Sequence, residues 1–111
     1  MVARNDSEME ITNQEFNEII NNGHKLVVVD FFAEWCMPCL MLAPIIDELA
    51  DKIKEVKFVK INVDDNQEIS SKYKISSIPC LIVFKDGEET ERIIGAQDGE
   101  TIEGKIREYL E

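Results

Sequence analysis

Long apolar runs are missing from this sequence. No stretch of its 111 residues approaches the roughly 20 apolar positions that a bilayer-crossing helix needs. Its start, Met1 to Glu10, reads MVARNDSEME and has no run of signal-peptide length, so the expectation is a cytoplasmic protein with no membrane partner. Basic residues are scarce as well. The 12 Lys and Arg face 23 Asp and Glu, and the formal net charge of -11 repels phosphate backbones and anionic lipid, which sets nucleic acid aside as a partner. No glycine-rich loop is present to cradle a nucleotide phosphate. Asn5-Asp6-Ser7 has the form of a glycosylation acceptor, but that modification belongs to secreted chains. Repeats, low-complexity tracts and Pro/Gly/Ser-rich linkers are also lacking. Residues 1–111 are therefore expected to form a single, monomeric domain with one hydrophobic core, with 1–8 as a disordered or loosely attached N-terminus.

Cysteine is sparse and odd in number, at three, which does not suit a framework of structural disulfides and turns attention to catalysis or metal binding. The single histidine, His24, follows an expected helix end and reads as a solvated loop residue rather than a ligand.

The hydrophobic pattern supplies the elements. Met9 to Ile11 suits a short strand, and Thr12 or Asn13 can cap a helix with Phe16, Ile19 and Ile20 on one face, ended by Asn22-Gly23. Lys25 to Ala33 is β-branched and aromatic almost throughout, as in a central strand covered on both sides, yet Asp30 lies within it. Leu42, Ile45, Ile46, Leu49 and Ile53 recur at helical spacing; Pro38 suits the first turn and Pro44 is expected to kink the helix. Val56 to Val63 reads as a second buried strand, parallel to the first through a right-handed crossover. Asp64 to Tyr73 suits a short helix. Leu81–Phe84 and Thr90–Ile94 flank Asp86-Gly87, a tight hairpin signal, and Asp98 can cap a last helix carrying Ile102, Ile106, Tyr109 and Leu110. The expected class is α/β, a mixed sheet with helices on both faces.

Chemistry concentrates in Trp35-Cys36-Met37-Pro38-Cys39, where the central strand gives way to the long helix. Free amide N–H groups and the helix dipole there favour a thiolate at Cys36, the nucleophile of disulfide exchange. Cys39 is placed to resolve the mixed disulfide, and Pro38 stiffens the turn between them. Two cysteines at this spacing also suit half a zinc site, but no second pair or histidine cluster completes it. Asp64-Asp65-Asn66 with Glu68 lacks calcium-loop spacing and reads as a solvated helix start.

With Val29-Asp30-Phe31-Phe32-Ala33-Glu34-Trp35-Cys36, then Ile78-Pro79, then Gly95-Ala96 in order, the sequence resembles the thioredoxin family from about Met9 to Leu110. The resemblance implies the thioredoxin fold, with the last two strands antiparallel to the rest. It implies an enzyme that reduces protein disulfides through Cys36 and Cys39, serving electron transport and cell redox homeostasis. The redox-active disulfide would need no separate cofactor or metal, and a thioredoxin reductase would regenerate the dithiol. It makes Asp30 the buried carboxylate beneath the thiols, with Lys60 nearby to modulate it. A carboxyl buried in an apolar strand has a raised pKa, so it can take the proton from Cys39; a structural Asp–Lys pair is the alternative. Pro79 matches the family's cis-proline, and Trp35, Met37, Pro38, Ile78, Gly95 and Ala96 would border the substrate, with Ile78 pairing through its backbone.

Two positions depart from the family pattern: Met37 stands where most members have Gly, and Cys80 where most have Thr. Met37 can alter thiolate stability or contact substrates as a soft apolar group. Cys80 admits three readings: a small buried hydrophobe, which is preferred, a third exchanging thiol, or a ligand. The last underlies a rival function, a non-catalytic metal or iron–sulfur carrier or interaction module using Cys36, Cys39 and Cys80.

Overall fold

A computed structural model describes residues 8–110 of the chain. Of the segment expected to be loosely attached, residues 1–7, including Asn5-Asp6-Ser7, lie outside the described residues, while Glu8 is described and buried.

The elements follow the hydrophobic pattern closely. In chain order they are β1 (Met9–Glu10), α1 (Asn13–Ile20), β2 (Leu26–Phe32), α2 (Met37–Lys52), β3 (Val56–Asn62), α3 (Gln67–Lys72), β4 (Cys80–Lys85), β5 (Glu88–Ile94) and α4 (Gly99–Glu108). Thr12 caps α1, its backbone N–H donating to the Glu15 carboxylate at 2.9 Å. Asp98 caps α4 by accepting from the Thr101 N–H at 2.8 Å. Pro44 lies inside α2, a single helix of 16 residues.

The strands form one sheet in the order β1-β3-β2-β4-β5. β1 and β2 both lie parallel to β3, and β4 is antiparallel to β2. β5 is antiparallel to β4, so it runs in the same direction as β2, and β4 alone opposes the rest. This corrects the expectation that the last two strands both run against the others. The reason is the hairpin itself: Asp86 and Gly87 have φ of 54° and 82°, the pair of positive angles that turns the chain back on itself once more.

Alternation along β2 divides the core in two. Val28 points to the face covered by Leu42, Ile46 and Leu49 of α2 and by Ile102 and Ile106 of α4. Val27, Val29 and Phe31 point to the other face, where Phe16 and Ile20 of α1 and Ile69 of α3 pack. Both layers are buried, as the near-continuous apolar run in β2 requires.

Candidate active site

β2 ends at Phe32, and a short turn, closed by the Cys36 N–H donating to the Ala33 carbonyl at 3.2 Å, delivers the chain to the start of α2. Cys36 is the N-cap of that helix, and its Sγ accepts from the Cys39 N–H at 3.2 Å. A sulfur thus occupies the place that a Ser or Asp oxygen takes in ordinary caps. The first turn of α2 carries no acidic side chain of its own to offset the positive end of the helix dipole at Cys36. Cys36 and Cys39 are joined as a disulfide with a Cα–Cα distance of 5.2 Å, and Pro38 sits between them in the first turn. Both sulfurs are buried with Ala33, under Phe32, Val63 and Ile78.

The surroundings of the pair are apolar and open to solvent. Trp35 and Met37 are 70% and 67% exposed. The Trp35 indole N–H donates to Asp64 Oδ2 at 2.8 Å, and the Asp64 N–H in turn donates to Asn62 Oδ1 at 2.9 Å. Ile78-Pro79 is a cis peptide, with Pro79 buried and Ile78 half-buried. The Gly95 N–H donates to the Pro79 carbonyl at 2.8 Å, drawing the loop after β5 onto the loop before β4 and leaving Ala96 exposed beside them. Gly95 has a φ of 91°, which favours glycine there. Ile78 meets the cysteine pair directly, and Pro79 and Gly95 are linked to each other.

Asp30 lies on β2 between Val28, which packs against Leu42 and Ile46, and Phe32, which packs against the cysteines. With a period of two along the strand, its side chain shares the α2 side of the sheet with both neighbours. It is 5% exposed and stands in register with Lys60 of β3 and Leu81 of β4. The Lys60 ammonium lies 5.5 Å from the centre of the Phe32 ring. Burial pushes the Asp30 carboxyl above its ordinary value of 3.8; a hydrogen bond with Glu8 and the positive charge of Lys60 work against that rise.

Several contributors were not legible as such. Glu8 belongs to a charged opening segment that reads as solvated, yet it is 3% exposed and hydrogen-bonded to Asp30. Burial, helped by the negative charge of Asp30, lifts its pKa far above 4.5. Asp64, read as part of a solvated helix start, holds the Trp35 indole; nothing in a linear pattern links positions 29 residues apart. Leu40 and Met41, 54% and 70% exposed, continue the apolar surface of Trp35 and Met37 along α2.

Cys80 is buried and packs in the α1/α3 layer with Phe31 and Ile82, across the sheet from the layer that α2 covers. Burial raises its pKa, which disfavours the thiolate. The three cysteines therefore do not converge, and the small buried hydrophobe is the reading that this geometry supports. Among the described residues no three His, Cys, Asp or Glu side chains gather as a metal-holding group, and no helix is long and apolar enough to cross a membrane.

A cysteine pair that closes over one helical turn, with a helix end to stabilise one of its thiolates, is the working part of a thiol–disulfide oxidoreductase. Comparison with known proteins agrees. The thioredoxin family profile matches residues 7–108. A thioredoxin of Chlamydia pneumoniae is 46% identical over 99 residues, covering 89% of this chain and 95% of that protein. Thioredoxin-2 of Saccharomyces cerevisiae is 44% identical over 82 residues, covering 74% and 79%. Among solved structures, a mutant thioredoxin of Halobacterium salinarum superposes with a TM-score of 0.89 at 33% identity, covering 100% of this chain and 97% of that one. The chain belongs to the thioredoxin family. It is a disulfide reductase that transfers electrons through the redox-active Cys36–Cys39 pair.

Proposed function

We propose that the chain reduces disulfides of protein substrates in the cytoplasm as a monomeric, single-domain enzyme and is recharged by a thioredoxin reductase. The Cys36 thiolate attacks a target disulfide, forming a mixed disulfide and releasing one target thiolate. The Cys39 sulfur then attacks Cys36 Sγ, its proton passing to the Asp30 carboxylate while the second target thiolate leaves. The target gains two electrons and the enzyme ends with the Cys36–Cys39 bond. Lys60, beside Asp30 in the sheet, favours the carboxylate form of that acid.

The observation that carries this reading is the Cys39 N–H directed at Cys36 Sγ at the start of α2, a donor already in place for the thiolate that forms on reduction. Docking is assigned to Trp35, Met37, Pro38, Ile78, Pro79, Gly95 and Ala96. Exposed apolar side chains at the helix start, and two loops held together at Pro79 and Gly95, support that assignment. An extended target segment pairs with the Ile78 backbone as an added strand. The acidic surface, with its net charge of -11, selects targets and a reductase with complementary charge.

Trapping tests the order of events. With a disulfide-bonded protein as substrate, Cys39→Ser accumulates a covalent mixed disulfide, whereas Cys36→Ser forms none and does not turn over. Turnover by Cys36→Ser, or trapping through Cys39 in its absence, would overturn the assignment.

A further inference from the structure

Glu8 has no part in the scheme above, yet it is one of the least accessible charged residues of the fold. Its side chain is 3% exposed and that of Asp30 is 5% exposed, and the two are hydrogen-bonded to each other. One oxygen of each, Glu8 Oε2 and Asp30 Oδ1, is buried with no partner. The pairing is produced by the sheet. β1 pairs with β3 at Met9–Val59 and Glu10–Lys60, and Val59 and Lys60 stand in register with Val29 and Asp30 on β2, which puts the residue just before β1 one strand removed from the strand of the buried acid. The charged groups that act on the pair from the packed elements are Lys60 of β3, which opposes protonation, and Asp47 of α2, which favours it. In β4 the registered neighbour is the apolar Leu81.

Two carboxyls in contact away from water do not both ionise, and a hydrogen bond between them requires one to carry a proton. Glu8 faces burial and the Asp30 charge together, so Glu8 keeps the proton and its O–H donates to the Asp30 carboxylate. Such a charge-assisted bond is roughly twice as strong as one between neutral groups. It works against the burial that would otherwise protonate Asp30.

We propose that Glu8 is a positioning residue for the resolving step: its neutral carboxyl, donating to Asp30, holds Asp30 as the carboxylate that accepts the Cys39 proton. The inference rests on the role given to Asp30 above. Glu8 itself neither gains nor loses a proton. When Cys39 attacks Cys36 Sγ, the Cys39 proton goes to Asp30, the sulfur–sulfur bond to the target breaks, and the target leaves as a thiolate.

The test combines carboxyl 13C NMR titration of the full chain with the pH dependence of mixed-disulfide resolution, in wild type, Glu8→Gln, Glu8→Leu and Asp30→Asn. In wild type, Asp30 ionises below neutrality while Glu8 remains protonated; the reverse order would overturn the proposal even if no variant folded. Glu8→Leu removes the donor, and the Asp30 titration and the pH profile of resolution move up together by about one pH unit, a tenfold change in proton affinity. Glu8→Gln, whose amide still donates, brings both back toward wild type. Equal shifts in Glu8→Gln and Glu8→Leu, or none in Glu8→Leu, would sink the proposal. Asp30→Asn separates the two ideas. If its resolution rate and pH profile match wild type, the role of Asp30 itself fails; if it slows resolution while Glu8→Leu shifts nothing, only the role of Glu8 fails.

Discussion

Among the described residues, two buried polar clusters are built in opposite ways. Around Asn66 the bonds close on one another: the Asn13 N–H donates to Asn66 Oδ1 at 3.0 Å, Asn66 Nδ2 donates to the Asn62 carbonyl at 3.0 Å, and the Ile69 N–H donates to Asn13 Oδ1 at 3.2 Å. Around Asp30, two acids share a bond, each keeps an unpartnered oxygen, and a lysine stands in the next strand. The first cluster ties β3, α3 and α1 together and has no proton to give. The second is under-satisfied in the way that buried groups with perturbed proton affinity are at reactive sites. The contrast separates a polar group that serves the fold from one to which the proposed mechanism gives a proton to move.

The sharpest way to break this comparison is Asp30→Asn. Resolution of the mixed disulfide should slow by about 100-fold near neutral pH, the lower range for loss of a general base, without loss of urea stability. Rapid-quench kinetics beside an equilibrium urea curve would check both. Asn66→Ala should do the reverse. It strands the Asn13 N–H, leaves the Asn62 carbonyl with the Asp65 N–H alone, and should cost about 2 kcal/mol of stability, leaving the midpoint of a redox titration followed by Trp35 fluorescence where it was.

The dependence of stability on pH sharpens the contrast further. Glu8 and Asp30 keep protons in the fold at pH values where the unfolded chain, with ordinary values of 4.5 and 3.8, has released them. Their contribution is complete below those values and is lost as pH rises toward and past neutrality. The slope is at most about 1.4 kcal/mol per pH unit for each group, and urea midpoints from pH 4 to 8 should flatten in Glu8→Gln. Asp98 acts with the opposite sign, because hydrogen bonds from Thr101 hold its carboxyl below 3.8, so its contribution is lost only in acid. The smallest effect is expected at Asp64→Ala. Losing the exposed indole contact should cost under about 1 kcal/mol while changing Trp35 emission.

Much of the architecture was legible because the core writes itself into the sequence twice, as alternation in the strands and as a 3.6-residue period in α2 and α4. Asp30 stood out because it breaks an apolar run. The direction of β5 is not legible from the family resemblance, which treats the last two strands as a block, whereas the Asp86-Gly87 turn reverses β5 relative to β4. Glu8 was invisible for a different reason. Its burial depends on a two-residue strand pairing with β3, some 50 residues later in the chain, and a glutamate in a run of polar residues carries no local sign of such a partner.

Burial within β4 also sets Cys80 apart from the active pair in reactivity. Fully reduced native chains should react with an alkylating reagent first at Cys36, whose thiolate the helix start favours, while Cys80 stays silent until β4 leaves the core. Cys80 is in that sense an internal clock for global opening, and its labelling rate can be read in the same sample whose other two thiols report the redox state.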